Sequence, residues 1–158
     1  MPTIYNDLWT FASTCYAQPG VESACLELQA AGADVCLILT GAWLECRGVR
    51  SCELRLKALI HISESWQSRV VAPLRELRNT WKQPAALDAA LTQLRDDLKR
   101  LEQSAEKIQL ERLQSTTLDW PTGTGTARWL ERLCPGLNLP DGAVVTLRQA
   151  AAQLAPAD

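Results

Sequence analysis

The sequence contains one histidine, His61, among its 158 residues. This scarcity excludes the metal-binding motifs that require two histidines. A single histidine still permits a Cys–His or Ser–His pair, but His61 lies between two isoleucines in a helical pattern, where a structural or surface role is usual. The six cysteines form no C-x-x-C pair, and their separations match no standard zinc spacing. We therefore predict neither a metal site nor a cofactor, and assign no catalytic residue.

Long apolar runs are also absent. The most apolar stretch, residues 33–45, is shorter than the roughly 20 residues that cross a bilayer. The N-terminus has no basic start followed by an apolar segment, which a secretion signal would have. We therefore expect a cytoplasmic protein without a membrane span, in which the cysteines are free thiols, mostly buried in helix faces.

The sequence shows no convincing strand pattern, because no segment of five or more residues alternates between polar and apolar side chains. Apolar residues instead recur every three or four positions. This pattern predicts a single all-α domain over residues 1–158, a bundle of about six to seven helices. The predicted helices cover about 6–17, 21–31, 34–47, 51–62 continuing to 82 with a kink at Pro73, 85–113, 127–133, and a last helix from 141.

The helix predicted over residues 34–47 should form the centre of the bundle. Asp34 can cap its N-terminus, and Gly48 can end it. The residues from Val35 to Leu44 include no charge and no clean polar face, so this helix is expected to be buried on most sides.

Gly41, in the middle of this central helix, is unfavourable there by roughly 1 kcal/mol relative to alanine. Its bare backbone would allow close approach of another helix, which is the simpler interpretation. The alternative is a ligand pocket, for which the candidate residues are Asp34, Thr40, Gly41 and Trp43.

The long helix predicted over residues 85–113 has a heptad pattern. Apolar side chains alternate spacings of four and three along it: Leu87, Leu91, Leu94, Leu98, Leu101, Ala105 and Ile108. This seam either docks within the bundle or pairs with a second copy or a partner protein.

Charge is unevenly distributed. Residues 1–46 include five acidic residues and no lysine or arginine, whereas residues 47–82 include eight basic residues (Arg47, Arg50, Arg55, Lys57, Arg69, Arg75, Arg78, Lys82) and three acidic ones. The cluster at Arg47, Arg50, Arg55 and Lys57 either pairs with the acidic N-terminal region and covers the core, or binds an anion, an acidic partner or RNA. Among the six tryptophans, Trp120 is expected to be exposed in a loop.

Several short motifs resemble one bacterial family: Leu8-Trp9-x-Phe11-Ala12, Tyr16-x-x-Pro19-Gly20-Val21-Glu22-x-Ala24-Cys25-Leu26-x-Leu28-Gln29, Gly32-Ala33-Asp34-Val35 and Trp43-Leu44. They identify the chain as similar to the domain of unknown function 2390 family, small proteins of gammaproteobacteria. The resemblance covers a core of residues 6–82, whereas the long helix (84–114) and the loop and C-terminal helices (115–158) match only in general character. The family pattern has an asparagine where this chain has Cys36. The resemblance implies no particular activity.

Three functional hypotheses remain open. The leading one is a non-enzymatic adaptor or regulatory protein that binds another macromolecule through the basic cluster, the heptad face or both. The second is a small-molecule binder or enzyme with a pocket beside Thr40, Gly41 and Trp43. The third is association with RNA or the ribosome, for which the basic cluster is the main support.

Overall fold

The computed structural model describes residues 6–123 and 128–155. Its helices are α1 (Leu8–Tyr16), α2 (Val21–Ala30), α3 (Val35–Cys46), α4 (Glu53–Trp66), α5 (Ala72–Thr80), α6 (Lys82–Ala85), α7 (Ala89–Thr116) and α8 (Asp141–Gln153), with a π-helical turn, Gln67–Val71, between α4 and α5. These residues include no β-strand, so the predicted all-α class is confirmed.

Helix α3 is the central helix, as predicted. Every residue from Cys36 to Leu44 is buried, and α3 contacts α1, α2, α4, α7 and α8. Asp34 caps it, because one carboxylate oxygen accepts hydrogen bonds from the backbone N–H groups of Cys36 at 3.0 Å and Leu37 at 3.4 Å. Gly48 follows the helix with φ of +64°, the left-handed conformation that ends many helices.

The predicted helix over residues 127–133 is wrong for the part that the structure describes. Ala127 lies outside the described residues, and Arg128–Leu133 is not helical, with turns at residues 130–132. Trp129, Leu130 and Leu133 are all buried in the core. The backbone of this segment bonds to distant residues instead, because the Arg128 carbonyl accepts from the Ser51 hydroxyl at 3.2 Å and the Trp129 N–H donates to Glu45 at 3.3 Å. The Trp129 indole N–H also donates to the Val49 carbonyl at 2.7 Å, which attaches this segment to the residues that follow α3.

The predicted interruption at Pro73 takes the form of the π-helical turn that precedes it. Proline has no backbone N–H and its ring clashes with the carbonyl four residues earlier, so a regular α-helix is unfavourable there. The wider turn accommodates both effects and leaves Pro73 in the first turn of α5.

The long helix begins later than predicted. Asp88 caps it and accepts a hydrogen bond from the Leu91 N–H at 3.1 Å, while residues 82–85 form the separate short helix α6.

Helices α5 and α6 pack against the first half of α7. We call residues 72–101 the helical arm. Within it only Ala85 and Leu98 are buried, and neither joins the main apolar core, to which α7 contributes Leu110 and Leu113.

Candidate functional site

A buried polar network surrounds the N-terminus of α3. The second oxygen of Asp34, Oδ2, accepts a hydrogen bond of 2.6 Å from the Gln109 side-chain amide, and Oδ1 accepts one of 3.3 Å from Gln67. Gln109 is fully buried; it also accepts from Gln67 at 2.8 Å and donates to the Ser63 hydroxyl at 3.3 Å. The network therefore joins α3, α4, the π-helical turn and α7.

An ion-pair cluster lies beside this network, between α5 and α7. The Arg75 guanidinium donates to Glu102 at 3.0 Å and to Glu106 at 3.1 Å, and Arg78 donates to Glu102 at 2.5 Å. Burial alone would raise the pKa of Glu102, but the hydrogen bonds and charges of Arg78 and Arg75 outweigh it and lower that pKa. Glu102 is therefore a structural carboxylate that stays ionised.

A cleft of about 500 Å³ opens between α1, α3 and α7. Its walls are largely apolar and include Trp9, Tyr16, Leu26 and Leu39. Its polar groups include Asp34, Arg75 and Glu106. A second cleft, of about 710 Å³, meets it at Gln29, Asp34, Gln67 and Arg75 and extends towards residues 133–137.

Burial raises the pKa of several groups that line the first cleft. It raises the pKa of Asp34, although hydrogen bonds from Gln109 and the helix N–H groups oppose the shift. It also raises the pKa of Glu106, against the attraction of Arg75. The pKa of the Cys36 thiol is raised well above its ordinary value by burial and by the nearby Asp34 and Glu106 charges. Cys36 is therefore a neutral thiol rather than an activated nucleophile.

The residues of the predicted pocket lie in different surroundings. Asp34 lines both clefts, but Thr40, Gly41 and Trp43 line neither of them. The buried Thr40 hydroxyl donates to the Cys36 carbonyl at 2.8 Å. A Cβ atom added to Gly41 would stand 2.6 Å from Leu133 Cδ1, so the bare backbone admits the turns at residues 129–133 rather than another helix.

Two residues of the basic cluster lie against tryptophan rings. The Arg47 guanidinium stands over Trp43, 4.4 Å from the ring centroid, and that of Arg55 stands 5.0 Å from the centroid of Trp120. Trp120 is not exposed as predicted: it is partly buried and stacks on Trp129 with centroids 5.9 Å apart. Arg50 and Lys57 are exposed. These four residues therefore do not share one role.

Three acidic residues of the N-terminal region have different partners. Glu45, at the end of α3, pairs with Arg148 of α8 at 2.8 Å. Asp7 accepts from Thr10, and Asp34 accepts from glutamine side chains and helix N–H groups. The basic residues Arg75 and Arg78 pair instead with α7.

The predicted heptad seam of α7 separates into two rows. One row faces the protein, with Leu91 half-buried and Leu98 and Ala105 buried. The inward positions beside it are polar: Arg95, Glu102 and Gln109. The other apolar row is exposed, with 54% of Leu94, 54% of Leu101 and 40% of Ile108 open to solvent, and Leu87 just before the helix 96% exposed. We call Leu87, Leu94, Leu101 and Ile108 the exposed row.

Sequence reasoning missed most of the polar site. None of the predicted sites included Glu102, Glu106 or Gln109. Their spacing was a usable signal, because Glu102 and Gln109 each follow a buried apolar residue, Leu98 or Ala105, by four positions and so lie on the same inward face of the helix.

The family model for DUF2390, described as a protein of unknown function, matches residues 7–113. This range includes α1 to α6 and all but the last turn of α7, and so contains the Asp34 network, the first cleft and the exposed row. Comparison with curated proteins and with solved structures gave no match. Among the described residues, no helix combines the length and apolar character needed to cross a membrane.

Proposed function

Because this chain belongs to the DUF2390 family of proteins of unknown function, we propose its function from its own geometry: it binds a helical segment of another protein along α7. The observation that carries this proposal is the exposed row. Isolated exposed leucines are common on protein surfaces and need no explanation. Leu94, Leu101 and Ile108 instead recur at intervals of seven on one flank of α7, with Leu87 exposed just before the helix, and such a row is typical of an interaction surface.

The way α7 is oriented supports an unfilled interface. The inward face of the helix uses Arg95, Glu102 and Gln109 for ion pairs and hydrogen bonds. Rotating α7 to bury Leu94 and Leu101 would break these polar contacts. The observed orientation of α7 therefore preserves the polar network and leaves the exposed row open to a separate chain.

The shape of the row indicates the chemistry of the partner. Leu94 to Ile108 extends about 21 Å along the helix, or roughly four turns. Side chains at seven-residue intervals fit between those of a second helix, so the expected partner is an amphipathic helix with apolar residues every three to four positions. Asp97, Arg100, Lys107 and Glu111 are exposed charges of both signs on the same helix, and they can select a partner with the opposite pattern.

The test places a photoreactive amino acid at position 94 and, as a control, at position 54. Leu54 is 81% exposed on α4 and lies outside the row. We expect a crosslink from position 94 to a single protein in host cells, with the linked peptide identified by mass spectrometry. A synthetic copy of that peptide should bind the purified protein. Crosslinks equally strong from both positions would contradict the proposal.

Substitution of the row then measures its contribution. The double variant Leu94→Glu, Leu101→Glu should weaken peptide binding by about 3 kcal/mol or more, over a hundredfold in Kd, because two apolar side chains lose their burial and charges are introduced. Leu54→Glu should leave binding unchanged. A native mass spectrum in which the crosslinked species is a homodimer would instead assign the row to self-association.

The proposed setting is the cytoplasm, with reduced thiols. Cys15, Cys25, Cys36 and Cys134 are buried, and burial raises the pKa of each thiol, which supports an inert apolar role for them.

A further inference from the structure

We propose that the cleft between α1, α3 and α7 binds a small organic cation, a primary amine attached to an apolar body. This site is separate from the exposed row, because Leu94, Leu101 and Ile108 do not line the cleft. The inference therefore goes beyond the proposed function, and either can fail without the other.

The charges around the cleft favour a cation. Three charged side chains line it: the carboxylates of Asp34 and Glu106 and the guanidinium of Arg75. With all three ionised, the lining carries one net negative charge, which one bound ammonium would neutralise. A bound anion would increase this net negative charge and be repelled.

Glu106 has an oxygen available to a ligand. Its Oε1 accepts from Arg75, whereas Oε2 accepts no hydrogen bond from any residue in the described ranges 6–123 and 128–155. The side chain is 32% exposed and lines the cleft, so Oε2 can accept a hydrogen bond from an ammonium group. Asp34 Oδ2, with one hydrogen bond from Gln109, offers a second acceptor in the same cleft.

The walls fit the apolar part of such a ligand. Trp9 and Tyr16 provide aromatic rings, and Leu26, Leu39 and Leu110 provide aliphatic surface. The Lys107 ammonium lies 5.3 Å from the centroid of the Trp9 ring, so one cation–π contact to this ring is made within the chain. A volume of about 500 Å³ suits a small organic molecule.

A metal ion suits the cleft less well than an amine. Among the residues that the structure describes, no group of three or more histidine, cysteine or carboxylate side chains is arranged to hold one. Arg75 also lies between the carboxylates of Glu102 and Glu106 and would repel a divalent ion from the positions it occupies. The apolar walls would offer a bare ion no contact.

The first experiment uses three probes of similar shape: 2-phenylethylamine, 2-phenylethanol and 3-phenylpropanoate. Binding is measured by NMR from the indole N–H signal of Trp9, assigned with a Trp9→Phe variant. We expect the amine to bind at least about tenfold more tightly than the alcohol, and the acid to bind most weakly. Equal binding of amine and alcohol, or no binding of the amine up to about 10 mM, would overturn the proposal.

Variants then locate the binding. Glu106→Gln should weaken amine binding about tenfold and leave alcohol binding unchanged, whereas Glu111→Gln, an exposed position on the same helix, should change neither. Trp9→Leu keeps every carboxylate and should weaken amine binding more than alcohol binding, measured from the NMR signals of the ligand because this variant lacks the Trp9 indole. It tests the site even if Glu106→Gln disturbs the Arg75 ion pair. Amine binding that is unchanged in both variants would overturn the proposal.

Discussion

At the scale of single residues, Gly41 shows how the lack of a side chain allows residues 129–133 to pack closely on α3. An added Cβ would stand 2.6 Å from Leu133 Cδ1 and 3.3 Å from atoms of Leu130 and Trp129. Gly41→Ala should therefore destabilise the protein, because the cost of overpacking exceeds the roughly 1 kcal/mol that alanine gains from helix propensity.

Gly142→Ala provides the matched control for this prediction. Gly142 lies in the first turn of α8, and an added Cβ there would meet no atom within 4 Å. Urea denaturation should place Gly41→Ala about 2 kcal/mol below Gly142→Ala in free energy of unfolding. Equal stability of the two variants would show that the 129–133 segment yields easily.

Single-residue prediction from the sequence worked where the interaction is local. The Asp34 cap could be predicted, because its partners are the N–H groups two and three positions further along, in the first turn of its own helix. Its other partners, Gln67 and Gln109, lie 33 and 75 positions away along the chain. No local rule links such residues, so the site centred on Asp34 became visible only once α4 and α7 were placed beside α3.

At the scale of elements, α7 shows that a sequence pattern can predict a helix without predicting which face of the helix packs inward. The heptad pattern predicted the helix correctly, since apolar spacing reports amphipathicity. It did not predict which flank of the apolar stripe faces inward. Glu102 and Gln109 take inward positions because they pair with residues of other elements, Arg75, Arg78 and Asp34. The prediction for the short segment after residue 128 was wrong for a related reason: the backbone of Arg128 and Trp129 bonds to Ser51 and Glu45, which lie far away in the sequence.

The two rows of α7 should respond differently to truncation in the isolated protein. Leu98 is 7% exposed, and Leu98→Ala should cost about 2–3 kcal/mol of unfolding free energy. Leu94→Ala and Leu101→Ala should each cost less than about 1 kcal/mol, because both side chains are 54% exposed. Chemical denaturation of the three variants measures this directly. A large loss at Leu94 or Leu101 would mean that the row is already covered, by a second copy or within the chain.

At the scale of the whole molecule, two kinds of packing coexist. The main core is apolar and gathers around α3, whereas the helical arm joins it through charged and amide side chains along α7. Asp34, Glu102 and Glu106 lie together at this junction, and their protonation links the stability of the fold to pH.

Asp34 and Glu102 should make opposite contributions to this pH dependence. Burial raises the folded-state pKa of Asp34 above its ordinary 3.8, so the folded protein binds this proton more tightly than the unfolded chain. Its contribution to stability is present below the ordinary value and is lost as pH rises through the raised one. For Glu102, burial opposes the lowering, but Arg78 and Arg75 prevail, so its contribution is present above the ordinary 4.5 and is lost as pH falls through the lowered pKa.

Urea unfolding at several pH values, with Asp34→Asn and Glu102→Gln compared with the wild type, tests these signs. As pH falls from neutrality towards 3.8, the stability of the wild type relative to Asp34→Asn should rise. Relative to Glu102→Gln, wild-type stability should instead fall once the pH drops below 4.5. Differencing against each variant cancels the titration that both proteins share. A wild-type advantage over Asp34→Asn that stayed constant with pH would mean that the Gln109 and helix N–H hydrogen bonds fully offset the burial of this carboxylate.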